Sequence, residues 1–302
     1  MVALQLQHAD IPYVRLNREQ LANYNLTLDP LIPKLSIRGP FDSCCIGPDL
    51  YSVWFRQPVF LRNTPSTLLS PKEQLEKSQW MAFLRSLSVF QNAAWMNFPT
   101  ATYLAESKPY QLLMAAGCGF QVPTTLVTND VCCIQDSFPG TLAIKSLDTV
   151  LLRDHDDDLF TFTTLSHSND LNEETVKAVP LLAQRALDPK IDIRVTVVDK
   201  EVFSVRVLSR ESGISGDWRL LDKSDLEFQD IVLNSETTER CQRLMHQLGL
   251  SFATIDLAET PEGTFFIEIN PTGEWGWLST VDRPIDHSIA SWLGNPPKMT
   301  HK

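Results

Sequence analysis

No apolar run in this 302-residue chain approaches the roughly 18 residues of a membrane-crossing helix, so no transmembrane segment is expected. The opening stretch, MVALQLQHADIP, has neither the basic region nor the sustained apolar core of a secretory signal. Positive charge is scarce: 26 Lys and Arg stand against 37 Asp and Glu, for a net charge of −11. That balance excludes the basic footprint of a general nucleic-acid binder, and it argues against an anionic membrane surface as partner. A phosphate-bearing ligand must therefore be met by Lys and Arg gathered locally. The six cysteines form no C-x-x-C, and no Cys/His spacing matches a zinc site. Cys44–Cys45 and Cys132–Cys133 are adjacent, while Cys118 and Cys241 stand alone. They read as free thiols, mostly buried as small hydrophobes, in a reducing cytoplasm. There is no internal repeat and no low-complexity segment. What remains is an ordinary globular composition, 43% hydrophobic and 21% charged, long enough for two or three lobes.

The most informative stretch runs from Phe252 to Trp277, FATIDLAETPEGTFFIEINPTGEWGW. Phe252–Leu257 and Thr264–Ile269 are rich in β-branched and aromatic residues, and the turn-forming cluster 258–263 between them predicts a β-hairpin. Strand side chains alternate faces, so Glu268 and Asn270 share one face and Asp256 can point to the same side. Three oxygen-bearing side chains then converge at the edge of an apolar hairpin, a set suited to Mg²⁺ shared with substrate phosphates. Alternatively, Asp256 and Glu268 are solvated residues of an exposed face. The run Glu268-Ile-Asn270-Pro-Thr-Gly resembles the metal-binding end of the ATP-grasp ligases, where an acid and then Glu-x-Asn hold the Mg²⁺ of MgATP.

Taken in order, residues 1–60 read as a small α/β lobe. It comprises a helix end over Met1–Ala9, a strand over Ile11–Asn17, short strands at Leu26–Leu28 and Leu35–Ile37, and another at Ser52–Arg56. Such a lobe normally opens with a strand, and no strand pattern precedes the first helix here. Ser70-Pro71-Lys72-Glu73 is a helix start; Trp80 and Trp95 read as core aromatics. A helix through Met114 ends at Gly117/Gly119, with Lys108 near its start, and residues 141–146 form a strand ending at Lys145. Each lysine either snorkels to solvent or meets a phosphate. The acidic run Asp154–Asp158 reads as a mobile, solvated turn between two strands. Leu181–Gln184 reads as a strand, Leu187–Lys190 as a linker, and Asp192–Val198 with Val202–Leu208 as a hairpin turning at Asp199-Lys200. Cys241, Leu244, Met245 and Leu248 give the apolar face of a helix over 234–250, with Ser235 as its N-cap and Gly249 as its stop. A last helix spans 284–294, and the tail from Asn295 reads as loose.

This order of elements, α+β with acidic hairpin last, is that of an ATP-grasp fold. Several motifs are more specific: Val53-Trp-Phe-Arg-Gln-Pro58, Asn97-Phe-Pro99 with Ala105-Glu-Ser-Lys108, Val122-Pro-Thr-Thr125, Ile144-Lys145, Asp192-Ile-Arg-Val195 with Asp217-Trp-Arg219, and Ile267-Glu-Ile-Asn-Pro271. In register over nearly the whole chain, they resemble the graspetide (microviridin-type) peptide macrocyclases. The resemblance implies an enzyme that uses ATP to phosphorylate an Asp or Glu side chain of a ribosomally made precursor peptide. A Thr/Ser hydroxyl or Lys amine of the same peptide then closes an ester or amide ring. It implies an N-terminal lobe over 1–100, a middle lobe over 101–183 and a C-terminal lobe over 184–302, working as a homodimer in the cytoplasm.

By that resemblance, Lys108 and Lys145 meet the nucleotide phosphates, and Gln184 in the hinge strand reads the adenine. Asp188 accepts from the ribose; Asp256, Glu268 and Asn270 hold Mg²⁺; Arg194 stabilises the acyl phosphate; Arg219 grips the substrate carboxylate. The chain departs from the family at Gln57, where a second arginine is usual, at Ser107, where Asn is usual, and at Arg185, where an acid is common. The loop 147–158 has no glycine. Two other readings share this fold: a ligase adding a free amino acid to a protein terminus, and a non-catalytic peptide- or nucleotide-binding module.

Overall fold

The computed structural model describes residues 1–40, 43–57, 69–148, 151–154, 157–160, 163–210 and 212–297. Helix α1 (Val2–His8) opens the chain. The strand expected over Ile11–Asn17 does not form. Pro12 offers no N–H to a ladder, and Ile11 serves as an anchor, its Cδ1 2.3 Å from where a Cβ on Gly294 would sit. Strands β1 (Asn25–Asp29), β2 (Lys34–Arg38) and β3 (Ser43–Ile46) make an antiparallel sheet in that order. Strand β4 (Ser52–Trp54) lies parallel to β5 (Ala94–Met96). Between them α2 (Pro71–Ser86) begins with a complete capping box of Ser70 and Glu73. Trp95 is buried as expected and Trp80 half-buried. Helices α3 (Pro99–Ala105) and α4 (Lys108–Gly117) follow.

The middle of the chain builds a second antiparallel sheet. Strand β6 (Thr125–Thr128), helix α5 (Val131–Ser137), strands β7 (Thr141–Lys145), β8 (Leu151–Asp154), β9 (Asp157–Phe160) and β10 (Thr164–His167), helix α6 (Glu173–Ala178) and strand β11 (Leu181–Arg185) succeed one another. The sheet order is β10-β7-β11-β6, and β8 pairs with β9 in a separate two-stranded ladder. Residues 155–156 of the acidic turn lie outside the described residues, as do residues 298–302 of the tail. Helix α5 was not foreseen, and it corrects the expectation that most cysteines are buried. Cys132 and Cys133 sit in its exposed first turn and Cys44 and Cys45 on exposed β3, leaving only Cys118 and Cys241 buried.

The last sheet runs β14-β13-β12-β15-β16, all antiparallel: β12 (Ile191–Val198), β13 (Glu201–Leu208), β14 (Glu227–Ile231), β15 (Phe252–Thr260) and β16 (Gly263–Asn270). The hairpin turn is tighter than the 258–263 cluster implies, because Ala258 and Glu259 pair with Asp192 and Ile191 on β12 and so stay extended. Helix α7 (Ser235–Leu248) is capped by the Asn234 carboxamide, which accepts from Thr237 N at 2.7 Å; the cap lies one residue before the Ser235 foreseen. Gly249 closes the helix at φ 66°, a conformation open to glycine at little cost. Cys241, Leu244, Met245 and Leu248 are all buried against Val195, Val197, Ile255, Phe266 and Ile269. Each Leu-sized side chain there contributes about 1.5–3 kcal/mol. The opposite face carries α1 and α8 (Ile285–Gly294) at one end only, over Val198 and Phe252.

Two buried carboxamides fix the edge strand β16. Gln111 donates to Ile269 O at 2.8 Å and accepts from Ile269 N at 3.1 Å, so its side chain stands in for the missing neighbour strand. Asn97 accepts from Ser251 N and Phe252 N and donates to Phe252 O and Pro271 O, at 2.7–3.0 Å. Gly273 follows, where an added Cβ would come within 1.8 Å of Thr254 Oγ1. Replacing Asn97 by Ala removes the side-chain partner of four backbone groups, three buried and one, Ser251 N, partly buried; each costs about 1–3 kcal/mol when left unpaired and dry. Asn97→Ala is expected to lower the thermal unfolding midpoint by several degrees, whereas an exposed control such as Asn169→Ala leaves it in place; differential scanning calorimetry checks this.

Candidate active site

The site grows from one face of the five-stranded sheet. Along β12, Asp192, Arg194, Thr196 and Val198 share that face, and β15 answers with Ala258, Asp256, Thr254 and Phe252 in register. The face is apolar at the Val198/Phe252 end, where α8 covers it, and charged at the Arg194/Asp256 end, which opens into a cleft. Across the next ladder Asp256 stands directly opposite Glu268, and Thr254 opposite Asn270. Beyond Asp256 the register shifts at a bulge, so Leu257 pairs with Phe266 and Ile267 is the extra residue. Thus the three oxygen ligands expected from the sequence do fall together.

The charges are interlocked. Arg194, only 6% exposed, donates through Nη1 to both Asp256 oxygens at 2.8 and 2.9 Å, and through Nη2 to Glu274 O at 3.2 Å. Arg219 forms a fork to Asp217, Nε to Oδ1 at 2.8 Å and Nη2 to Oδ2 at 2.9 Å, while its Nη1 lies 3.5 Å from Glu268 Oε1. Asn270 Nδ2 approaches the same Glu268 oxygen at 3.5 Å. From the facing sheet Lys145 Nζ donates to Gln184 Oε1 at 2.9 Å, and Gln184 Nε2 to Thr125 Oγ1 at 2.9 Å. One end of the Gln184 amide therefore holds Lys145 and the other donates to Thr125, so both ends are engaged. Lys108 begins α4 with Nζ 3.5 Å from Leu147 O.

The cleft between the two sheets is lined by Lys145, Gln184, Lys190, Asp192, Asp217, Trp218, Arg219, Asp256 and Glu268. Asp188 is not among its lining residues; Leu187 and Lys190 are. Lys190 and Asp192, an ion pair in the cleft wall, had no role in the sequence reading. Alternation along β12 could have found Asp192, two residues from Arg194 and on the same face. Asp217 was legible only as part of its motif, and its work is to orient Arg219.

Burial governs the titrations. It pushes the Lys145 ammonium down from its ordinary value, with Glu268 pulling it back up. Burial also raises the Asp192 carboxyl to about 6, although Lys190 opposes the shift. For Asp217 burial acts upward too, but the Arg219 fork outweighs it and holds the carboxyl low. Asp256 and Glu268 carry two carboxylates and Asn270 a neutral oxygen, a hard-donor set that fits a Mg²⁺ ion completed by substrate phosphates. Among the described residues there is no cluster of three or more His, Cys, Asp or Glu side chains able to hold a metal.

By sequence, no family model and no curated protein matches the chain. Its backbone, however, superimposes on the macrocyclase MdnC of Microcystis aeruginosa MRC, bound with precursor peptide MdnA, at a TM-score of 0.82 and 20% identity, covering 98% of this chain and 95% of that one. An ATP-grasp ligase associated with ribosomally made modified peptides from Chryseobacterium gregarium, in complex with ADP and a leader and core peptide, follows at 0.80 and 23%, covering 97% and 91%. The fold is ATP-grasp. The ATP-grasp ligase PsnB, complexed with a phosphomimetic precursor variant, Mg and ADP, matches at 0.71 and 18%, over 97% of this chain and 92% of that one. In ATP-grasp terms the cleft described above lies between the middle and last sheets, with the acidic hairpin on its floor.

A raised Asp192 carboxyl has a stability consequence. Below about pH 4 folded and unfolded chains are both protonated there. As pH rises toward 6 the unfolded chain sheds that proton first, so stability falls through this window and levels off above it. The pH slope of urea unfolding between 4 and 6 is expected to be less positive in the wild type than in Asp192→Asn.

Proposed function

We propose that this chain is an ADP-forming ligase that cyclises a ribosomally made precursor peptide. A peptide Asp or Glu carboxylate attacks the γ-phosphorus of ATP and ADP leaves. A Thr/Ser hydroxyl or Lys amine of the same peptide, losing its proton, attacks the acyl carbon, and phosphate leaves as the ester or amide ring closes. The observation that carries the reading is the juxtaposition of Asp256 and Glu268 across one ladder, with Arg194 and Arg219 on them and Lys145 facing from the other sheet. Phosphoryl transfer is positioning plus charge neutralisation, and this arrangement offers both. The solved structures of similar fold, bound to ADP or to precursor peptides, support the substrate class.

On this reading Lys145, oriented by Gln184, and Lys108 meet the nucleotide phosphates. The hinge backbone at Gln184 meets the adenine, and Asp192 and Lys190, which line the cleft, take the ribose end in place of Asp188. Asp256, Glu268 and Asn270 hold Mg²⁺, which when bound neutralises phosphate charge as a Lewis acid. Arg194 presents its planar fork to the acyl phosphate, and Arg219, kept extended by Asp217, receives the substrate carboxylate. The lobes are 1–100, 101–183 and 184–302.

Mass spectrometry of a candidate precursor encoded near this gene, incubated with protein, ATP and Mg²⁺, tests the reading. Loss of one water mass per ring, dependent on both ATP and Mg²⁺, supports it. An unchanged peptide alongside ATP hydrolysis stimulated by a free amino acid points instead to a carboxylate–amine ligase. Losing an outer partner of a metal ligand typically costs about 10–100-fold. Glu268→Gln, which alters a ligand itself, is expected to cost more in turnover while the far-ultraviolet dichroism stays native. Arg194→Ala is expected to reduce turnover by about 10²–10³-fold, the scale for removing one charge-stabilising donor. It should retain ATP binding measurable by calorimetry; product formed at the wild-type rate would refute the role.

A further inference from the structure

The first lobe supplies a cation that the scheme above does not use. Arg56 follows β4 and lies with Cζ 5.2 Å above the ring of Trp54, a contact that sets its plane. Trp54 is itself wedged against Trp275, with ring centroids 6.2 Å apart. Arg56 Nη1 is buried and meets no hydrogen-bond partner among the described residues. A carboxylate oxygen, Glu274 Oε1, lies 3.7 Å from Nη2 on a side chain that is 80% exposed. That distance exceeds a hydrogen bond, and so exposed a pair holds little. Arg194 and Arg219 differ, since each holds a carboxylate within hydrogen-bond distance, although Arg194 Nε is likewise buried without a partner among the described residues. Burial pulls the Arg56 guanidinium below its ordinary pKa, and Glu274 offsets this only in part.

Arg56 is also well placed. Glu274 faces it with its carboxylate, while its carbonyl accepts from Arg194 Nη2 at 3.2 Å. A single residue therefore separates Arg56 from the arginine that clamps Asp256. The next side chain, Gln57, at φ 41°, donates to Glu106 Oε2 at 2.9 Å and ties the same loop to the turn that precedes Lys108. The loop is thus fixed on both sides, and its guanidinium is left short of an anion at the edge of the charged network.

We propose that Arg56 is a second carboxylate grip, which holds an Asp or Glu side chain of the substrate peptide flanking the one that is activated. The inference rests on the peptide-ligase reading above and adds to it a specificity: the peptide must carry at least two acids, one for Arg219 and one for Arg56. The flat fork of Arg56 favours a carboxylate over a neutral amide of the same shape.

The test uses the full-length protein with ADP and Mg²⁺ and short acetylated peptides that alternate Thr and Glu, against counterparts with Gln for Glu. Tryptophan fluorescence reads the titration, since Trp54 lies under the guanidinium. The wild type is expected to prefer the Glu peptide, and Arg56→Gln to weaken Glu-peptide binding about tenfold or more, the scale of a lost charged hydrogen bond, with ADP affinity unchanged. Glu274→Gln, which removes the competing carboxylate, should leave peptide binding equal or tighter. The proposal is overturned if Arg56→Gln binds the Glu peptide as the wild type does. It is also overturned if Glu274→Gln weakens binding as much as Arg56→Gln, because Arg56 would then only anchor the 270–275 loop. Should Arg56→Gln fail to fold, the Glu274→Gln result decides alone. A wild type that binds ADP but does not distinguish Glu from Gln peptides overturns only the Arg56 role, whereas one that does not bind ADP overturns the ligase reading itself.

Discussion

The contact between Arg194 and Asp256 is the constraint on which the rest of the site depends. It joins adjacent central strands of the last sheet, face to face in the ladder, where both side chains are largely withdrawn from water. Breaking such a pair by deleting one partner typically costs about 3–5 kcal/mol, mostly because the survivor is left charged and dry. The pair does not need to add much net stability to matter. It holds Asp256 in one rotamer, sets Glu268 opposite an anchored neighbour, and draws the Glu274 carbonyl inward. In a protein of net charge −11, cations are thus gathered locally against acids at this cleft.

The surroundings are built to keep that geometry from drifting. An edge strand normally exposes unpaired backbone groups and can fray. Here Gln111 and Asn97 meet those groups with side chains, and Gly273 lets the following loop press against Thr254. Asn97, in the turn before α3, and Gln111, in α4, precede the middle sheet, so chain far from the hairpin in sequence helps to set its oxygen-bearing side chains. The aromatic stack of Trp54 and Trp275 makes a similar bridge on the other side of the loop.

How much of this was legible in the sequence followed from how local the deciding physics was. The acidic hairpin, the β12–β13 hairpin and α7 declare themselves by period alone, and all three form. The strand expected over Ile11–Asn17 has the right residue types, but β-propensity is context, and no neighbour offers it a ladder. Strand β3, with Cys44 and Cys45, and helix α5, with Cys132 and Cys133, are hard to read because cysteine usually packs as a buried hydrophobe, whereas all four are exposed here. The α7 cap fell on Asn234 rather than Ser235, a choice between two good caps that a one-residue frame shift decides. At the site, the motif residues Asp256, Glu268, Asn270, Arg194, Arg219 and Lys145 converge, and Lys190 and Asp192, to which the sequence assigns no role, line the same cleft. Their importance comes from facing a cleft whose other wall is a different sheet, which no window of sequence can show.

The bulge at Ile267 has one more consequence. Across it, Glu268 faces the cleft while Phe266, two positions earlier, lies on the opposite face beneath α7 beside Leu257. The extra residue is not needed for the facing itself: without Ile267, Phe266 and Glu268 would be neighbours, and ordinary alternation would still send them to opposite faces. What Ile267 adds is a local bend and extra twist in the edge strand, which re-aims the Glu268 carboxylate relative to Asp256.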